Sequence, residues 1–246
     1  MTQVAVITGA AQGIGRRTAQ VLNEHGWSLV LLDLQHVDAS EYKSALALAG
    51  DISDEHFVES AALQCIDKFG RVDALVNNAG ISCISSALET SADLYRKVID
   101  VNLVAPFLLA KAFGRVMIAN GSGSVVNVAS VAGLQGVADR SAYNASKHGL
   151  IGLTRTLAVE WGAKGVRVNA VCPGFTETDI VRDSIANIVA KTGQTEAQAR
   201  EALVAHNPQK KMIQPDEVAQ TVLWLCAEAA ASVNGQSIAV DGGETM

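Results

Sequence analysis

Cysteine is scarce in this chain, and its cysteines are far apart. None of them forms the CxxC pair used by metal and redox motifs, and none lies near a cluster of histidines. The sequence therefore excludes a zinc finger and a disulfide scaffold, and no metal site is predicted. Isolated thiols are typical of a reducing cytosol, where they are buried or idle. The four are Cys65, Cys83, Cys172 and Cys226.

Basic clusters and long hydrophobic runs are also missing. The formal net charge is -6 and the longest basic run is Lys210–Lys211, so we expect no nucleic-acid partner. There is no run of about 18 apolar residues. The opening MTQVAVITGAAQG lacks the basic and apolar regions of a secretory signal. We therefore expect a cytoplasmic protein with a small-molecule substrate and no membrane partner.

Apolar, β-branched runs alternate with segments of helical periodicity along the whole chain. Hydrophobic residues make up 49% of it, enough to bury a large core. This alternation predicts an α/β fold: one domain over residues 1–246, with a doubly wound parallel sheet of about seven strands covered by helices on both faces. The pattern of 45–51 alone also fits a helix, but its position favours a strand. The predicted strands are 3–8, 28–33, 45–51, 73–80, 123–130, 166–174 and 236–243, and the predicted helices are 15–26, 54–70, 91–118, 141–162 and 215–228.

Two features interrupt this pattern. Pro106 lies inside the helical segment 91–118 and predicts a kink or break there. Segment 178–211, rich in alanine, glutamine and charge, interrupts the last β–α connection. An insertion at the carboxyl end of a strand is well placed to cover a site. We predict a helical insertion that forms a substrate lid; the alternative is a surface helical pair with no role.

The stretch TGAAQGIG (8–15) places three glycines between the first strand and the first helix. Without side chains at Gly9, Gly13 and Gly15, backbone N–H groups can approach a pyrophosphate at the positive end of the helix dipole. The spacing is G-x3-G-x-G, and a glycine turn can also serve plain chain reversal. Its place between strand and helix favours a dinucleotide site.

Asp33 ends the second predicted strand, where a carboxylate can accept hydrogen bonds from the ribose hydroxyls on the adenine side. It would also repel a 2′-phosphate. Gln12 precedes Gly13 and Leu34 follows Asp33, so neither position supplies a cation for such a phosphate. The sequence thus favours NAD over NADP, unless Asp33 is only a helix cap or a solvated strand end.

Tyr143 and Lys147 stand four residues apart in a predicted helix and share one face. A free tyrosine has a pKa of about 10, too high for acid–base work near neutrality. A nearby fixed cation, and the positive nicotinamide of an oxidised cofactor, would favour the phenolate. The small residues Ala145 and Ser146 leave room for that cofactor. The spacing alone favours an ordinary Tyr and Lys on a helix, because such pairs are common.

Together these motifs resemble the classical short-chain dehydrogenase/reductase family, over the whole chain. They imply its Rossmann-like fold and an oxidoreductase that moves hydride between a secondary alcohol and NAD. Ser130 precedes Tyr143 by thirteen positions, as the family pattern requires. The matching stretches are TGAAQGIG (8–15), NNAG (77–80), VN ending at Asn102, Ser130, YNASK (143–147), PGFTET (173–178) and NGQSIAVDGG (234–243).

The resemblance implies a catalytic tetrad. Tyr143 would be the general acid/base, and Lys147 would lower its pKa and bind the nicotinamide ribose. Ser130 would hydrogen-bond the substrate oxygen. Asn102 would hold a water that joins Lys147 to solvent; its alternative is a polar residue inside a helix.

The resemblance also implies cofactor contacts and a homotetramer. Asp51 and Ile52 would meet the adenine, and residues 78–80 would pass under the adenosine ribose. The full set of implied cofactor-binding residues is Gly9, Gln12, Gly13, Ile14, Gly15, Asp33, Asp51, Ile52, Asn78, Ala79, Gly80, Tyr143, Lys147, Pro173, Gly174, Thr176 and Thr178.

The substrate is less defined, because one such scaffold serves many reactions. The expected pocket segments, 81–86, 131–139 and 178–211, are mostly small and apolar. The chain is similar to 3-oxoacyl-thioester reductases, and HNPQKK (206–211) is similar to 3-hydroxybutyrate dehydrogenases. Those dehydrogenases carry a histidine shortly after the serine to bind a carboxylate; here Ala132 and Gly133 stand there, and Arg140 is the only obvious cation.

Several functions remain open at this point. The first is an NAD-linked dehydrogenase of a 3-hydroxyacyl or 3-oxoacyl compound, and the second acts on a cyclic or other small secondary alcohol. A non-catalytic dinucleotide sensor would keep the glycine turn and Asp33 but would not need Ser130, Tyr143 and Lys147 together. A scaffold protein would explain none of the glycine turn.

Overall fold

A computed structural model describes residues 2–246, with the backbone alone at positions 180, 183, 184, 187, 188 and 191. Seven parallel strands form one sheet in the order 3-2-1-4-5-6-7. The predicted single-domain α/β fold with its doubly wound sheet is confirmed, including the strand at 45–51. The strands are β1 (Val4–Thr8), β2 (Ser28–Asp33), β3 (Ala45–Ala49), β4 (Ala74–Asn77), β5 (Gly123–Val128), β6 (Val166–Pro173) and β7 (Ser237–Val240).

Helices cover both faces of the sheet, because alternate residues of each buried strand point to opposite sides. Val4 and Val6 pack in one cluster with the helices at 55–69, 105–120 and 141–162, whereas Ala5 and Ile7 pack in another with the helices at 13–24 and 215–226. The helices are α1 (Gly13–Glu24), α2 (Glu55–Phe69), α3 (Ala92–Ile99), α4 (Ala105–Asn120), α5 (Ser141–Gly162), α6 (Asp179–Thr192), α7 (Glu196–Leu203) and α8 (Pro215–Cys226).

The long helical segment is broken just before Pro106, as predicted. A π-helical turn, Asp100–Val104, joins α3 to α4, and Pro106 lies in the first turn of α4. Proline has no N–H to donate to the carbonyl four residues earlier, so the regular ladder cannot pass through it. The sequence did not predict that the break would take the form of a π turn carrying Asn102.

The same segment, Ala92–Asn120, is long and apolar enough by length and composition to cross a membrane. Its α4 part places Leu109, Phe113 and Met117 in the core cluster against the sheet. Packing in this fold therefore accounts for its apolar character.

The chain runs outward from β1 to β3 and then crosses back to β4. As a result β1 pairs with β2 on one side and β4 on the other. Ligands of such sheets bind in the crevice at the carboxyl ends of the strands, where the strand order reverses. Most of the predicted site residues lie at or just beyond the ends of β1 to β6 at this edge, and Asn102, Tyr143 and Lys147 lie in helical segments.

The insertion 178–211 is helical, with α6 and α7 beyond the carboxyl end of β6. Arg200 of α7 forms an ion pair of 2.6 Å with Glu177, which ties the insertion to the loop after β6. Its action as a substrate lid stays a prediction.

Candidate active site

The glycine turn between β1 and α1 has a backbone that requires glycine. Gly9 and Gly13 have φ values of +66° and +55°, in the left-handed region. A Cβ on Gly15 would stand 2.0 Å from the carbonyl oxygen of Gly9, so no side chain fits there. Gln12 is the N-cap of α1, but its side chain makes no capping hydrogen bond. The turn thus forms a bare cradle at a helix N-terminus, which fits a pyrophosphate.

Asp33 is fixed beside this turn. One of its carboxylate oxygens accepts from the N–H of Ala11 and the other from the N–H of Gln35, each at 2.9 Å. Each oxygen keeps a further lone pair for a ribose hydroxyl. The next residue, Leu34, is 73% exposed and carries no charge. The carboxylate is therefore held at the glycine turn, where the sequence placed it.

The segment after β3 lies next to Asp33, since the N–H of Gly50 donates to the Asp33 carbonyl at 2.8 Å. Asp51 accepts from the N–H and the hydroxyl of Ser53 at 2.9 and 2.7 Å. Ile52 is buried in the core cluster on the α2 face. Their contact with an adenine ring stays a prediction.

The NNAG segment after β4 is bonded to the glycine turn. Asn78 donates through its side chain to the carbonyls of Thr8 and Gly9 at 2.9 and 3.2 Å. The backbone N–H groups of Asn78 and Ala79 both donate to the Thr8 hydroxyl at 3.0 Å. These bonds hold the ends of β1 and β4 together at the point where the strand order reverses. The role of Thr8 was not predicted from the sequence. Its position as the last residue of the first strand was the one feature that could have indicated it.

The loop after β6 reaches back to the glycine turn. Pro173 ends β6, and the Thr176 hydroxyl donates to the Gly174 carbonyl at 3.0 Å. Thr178, the N-cap of α6, places its methyl carbon 3.2 Å from where a Cβ on Gly13 would stand. The cofactor-binding residues predicted after β6 and the glycine turn thus meet across one crevice.

Ser130, Tyr143 and Lys147 come together at the carboxyl end of β5. Ser130 is buried just beyond that strand and accepts from the Ala132 N–H at 3.1 Å. Tyr143 and Lys147 lie on the first turns of α5, with the lysine Nζ 5.6 Å from the centre of the tyrosine ring. The predicted grouping of a hydroxyl, a phenol and an ammonium is present.

Lys147 is only 4% exposed, and its Nζ donates to the Val128 carbonyl at 2.8 Å. Burial disfavours the charged ammonium and lowers the pKa of Lys147 to about 8. The amine therefore stands close to a change of charge at mildly alkaline pH.

Burial has the opposite effect on Tyr143, since it raises the pKa of a phenol. A hydrogen bond with Ser130 and the positive charge of Arg140 oppose that rise, but burial outweighs them. The lowering of the Tyr143 pKa by Lys147, which the family resemblance implies, stays a prediction for the complex with a nicotinamide cofactor.

Asn102 lies fully buried in the π-helical turn. Its side chain accepts from the N–H of Ile81 at 2.8 Å and donates to the Ile81 carbonyl at 2.9 Å. A Cβ on Gly80 would stand 3.1 Å from the Asn102 side-chain oxygen and 3.6 Å from the Lys147 Nζ, so the two groups are close neighbours. The water relay through Asn102 stays a prediction.

Known proteins of similar sequence cover almost the whole chain. The family model described as enoyl-(acyl carrier protein) reductase matches residues 9–245. A cis-4-hydroxycyclohexanecarboxylate dehydrogenase of Sinomonas cyclohexanicum is 38% identical over 99% of this chain and 96% of its own. A 3-oxoacyl-[acyl-carrier-protein] reductase of Synechocystis is 36% identical over 99% of this chain and 97% of its own.

A crystal structure of an actinorhodin polyketide ketoreductase variant with NADPH superposes with a TM-score of 0.92, at 30% identity over 99% of this chain and 97% of its own. The chain belongs to the short-chain dehydrogenase/reductase family. It is thus an oxidoreductase of that family.

Besides Thr8, the hydrogen-bonding role of Ser146 in this short-chain dehydrogenase/reductase site was not predicted; the sequence indicated only that its small size leaves room for a cofactor. Ser146, between Tyr143 and Lys147, is fully buried; its hydroxyl donates to the Tyr143 carbonyl at 2.7 Å and accepts from Asn102 at 3.1 Å. It links α5 to the π turn. Only its small hydroxyl side chain within a largely apolar helix could have indicated this role, and its partner Asn102 lies 44 residues away in sequence.

In the part of the chain that the structure describes, no group of three or more histidine, cysteine or acidic side chains could hold an ion. Cys172 lies at the end of β6, where burial raises its pKa to about 11, so it is an inert thiol at neutral pH.

Replacing Lys147 by methionine tests the burial of the amine. Because the folded pKa of about 8 lies below the ordinary 10.5, the unfolded chain binds more protons between these values. Wild-type stability should therefore rise with pH through that window, relative to the variant, by about 3 kcal/mol. Urea unfolding of both proteins between pH 8 and 10.5 measures the difference.

Lys164→Met, at an exposed position, is the matched control and should show no such trend. A stability difference between wild type and Lys147→Met that stays flat across the window would contradict the lowered pKa.

Proposed function

We propose that this protein is an NAD(H)-dependent dehydrogenase that interconverts a secondary alcohol and a ketone, with Tyr143 as general acid/base. The observation that carries the proposal is the convergence of Ser130, Tyr143 and the buried Lys147 at the sheet edge that also bears the glycine cradle. A sensor of dinucleotides would need the cradle but not these three side chains.

Asp33 supports NAD as the cofactor. Its carboxylate would accept from the adenosine ribose and repel a 2′-phosphate. The nearby Arg16 forms an ion pair with Glu41 at 3.1 Å. Its positive charge is therefore already paired and is less suited to bind the 2′-phosphate of NADP. The superposed ketoreductase was crystallised with NADPH, which makes the choice of cofactor a point for direct measurement.

The side chains divide the chemistry between them. Ser130 donates a hydrogen bond to the substrate oxygen, and Tyr143 takes the hydroxyl proton during oxidation or returns it during reduction. Lys147 holds positive charge beneath the phenol, which favours the phenolate form. The nicotinamide, when bound, supplies the hydride acceptor or donor.

Relatives of two kinds support two substrate classes. A 3-hydroxyacyl or 3-oxoacyl compound is the first choice, and the Synechocystis reductase is named for such a compound. A cyclic secondary alcohol is the alternative, supported by the name of the Sinomonas dehydrogenase. In both cases α6 and α7 would close over the bound substrate.

We also propose that the enzyme works in the cytoplasm as a homotetramer. Its four cysteines are free, as in proteins of reducing compartments. Helices α4 and α5 expose apolar side chains on one side: Phe107 is 46% exposed and Val159 84%. On the far side of the sheet, α8 exposes Trp224. Two such surfaces suit a dimer of dimers.

Turnover tests the proposal. Purified protein should reduce NAD in preference to NADP with secondary alcohols, followed by absorbance of the reduced cofactor. Tyr143→Phe should lower kcat by about 100- to 10,000-fold, because the proton acceptor is lost. Asp33→Asn should reduce the preference for NAD.

Tyr95→Phe, at an exposed position on α3, is the control and should keep wild-type rates. Full activity of Tyr143→Phe would contradict the role of the phenol. Tight NAD binding without turnover of any alcohol would favour the sensor instead.

The assembly is tested by mass in solution. Four chains of 25.7 kDa are expected by light scattering, and Val159→Arg should give a smaller species because it places charge in the α5 contact. Leu63→Arg, 73% exposed on α2, should leave the mass unchanged. A wild-type monomer would contradict the tetramer.

A further inference from the structure

Arg140 lies beside Tyr143, where the loops after β4, β5 and β6 meet. It is the N-cap of α5, three residues before Tyr143. Its guanidinium carbon lies 6.0 Å from the ring centre of Tyr143 and 6.0 Å from that of Phe175. One of its nitrogens donates to the Ser82 hydroxyl at 2.8 Å. Three loops, following β4, β5 and β6, therefore meet around this one cation.

The charge of Arg140 has no ion-pair partner within the residues that the structure describes. A guanidinium has five N–H donors, and the structure shows one hydrogen bond from it, to Ser82. Its side chain is only partly exposed, and the rings of Tyr143 and Phe175 stand beside it. A half-buried guanidinium with free donors is suited to a planar, bidentate carboxylate.

We propose that Arg140 binds a carboxylate on the substrate, so that the enzyme acts on a hydroxy acid or its oxo acid. The carbinol would lie at Ser130 and Tyr143, and the carboxylate would lie against the guanidinium between Tyr143 and Phe175. This inference rests on the proposed function and adds the substrate class to it.

The same cation also acts on the phenol. The charge of Arg140 lowers the pKa of Tyr143 against the effect of burial. A bound carboxylate would neutralise part of that charge, so substrate binding and proton transfer are linked through one side chain. The pH profile of alcohol oxidation in an Arg140 variant should therefore shift to higher pH.

A purely structural role for Arg140 is the competing explanation. The loop carrying it is bonded to the loop after β4, where the N–H of Ser85 donates to the Asp139 carbonyl at 2.8 Å. If Arg140 only joined these loops, its loss would weaken the binding of charged and neutral ligands alike. The two explanations thus differ in charge selectivity.

Calorimetry with two ligands that share a carbon skeleton and differ in charge distinguishes the carboxylate site from the purely structural role. Cyclohexanecarboxylate and cyclohexanecarboxamide are titrated into the protein saturated with whichever of NAD and NADP it binds. We expect the carboxylate to bind wild type more tightly than the amide. Arg140→Gln should weaken carboxylate binding by about 10- to 100-fold, the range for a charged hydrogen bond. Amide binding should change less than about threefold.

Two further variants complete the design. Arg140→Lys keeps the charge but not the planar fork, so it should bind the carboxylate with intermediate affinity. Arg96→Gln removes the same charge from an exposed ion pair with Asp93 on α3 and should behave as wild type. Equal loss of both probes in Arg140→Gln, or no carboxylate binding by wild type, would overturn the proposal.

Turnover of 4-hydroxycyclohexanecarboxylate and of its amide forms the second arm. We expect wild type to have a higher kcat/KM for the acid than for the amide. In Arg140→Gln this preference should disappear because the KM for the acid rises. Oxidation of the amide alone would overturn the carboxylate site and leave the dehydrogenase intact. If neither alcohol is oxidised, the turnover measurements with other secondary alcohols decide the proposed function separately, and the calorimetry decides whether Arg140 binds a carboxylate.

Discussion

The site depends on a lysine amine buried next to a phenol. Lys147 is placed on the inner face of α5, and its Nζ is held by the Val128 carbonyl at the end of β5. Burial costs the ammonium its hydration, and this cost appears as a pKa near 8. The neighbouring groups are arranged around that charge: Asn102 and Ser146 fix the surrounding backbone, and Ser130 contacts the phenol.

The sheet edge next to this charge is held together by contacts between its loops. Thr8 and Asn78 tie β1 to β4, and Thr178 closes the loop after β6 onto the glycine turn. These contacts join the glycine turn, which fits a pyrophosphate, to the loops after β4 and β6, so a dinucleotide would meet preformed surfaces there. Preformed dipoles and hydrogen bonds lower the reorganisation needed during proton and hydride transfer.

Much of this arrangement could be predicted from the sequence, because its signals are local. Hydrophobic periodicity, and the glycines that end many segments, located all seven strands. Because Asp33 and Ser130 come at the ends of predicted strands, they were expected at the carboxyl edge of the sheet. The π turn could not be predicted, since Pro106 signals a break but not the register in which the helix resumes. Ser146 and Thr8 were missed because their partners are distant in sequence. The direction in which the pKa of Tyr143 shifts could not be predicted either, because it depends on burial of the phenol by segments distant in sequence.

Titration of the phenol tests the central claim most directly. The chain has three tyrosines, so the ultraviolet difference spectrum of wild type against Tyr143→Phe isolates the ionisation of Tyr143. Burial predicts a transition above the ordinary value of 10 in the free protein. Saturation with NAD should move it toward neutrality, because the nicotinamide charge adds to those of Lys147 and Arg140. A transition that does not move when NAD is bound would contradict Tyr143 as the general acid/base.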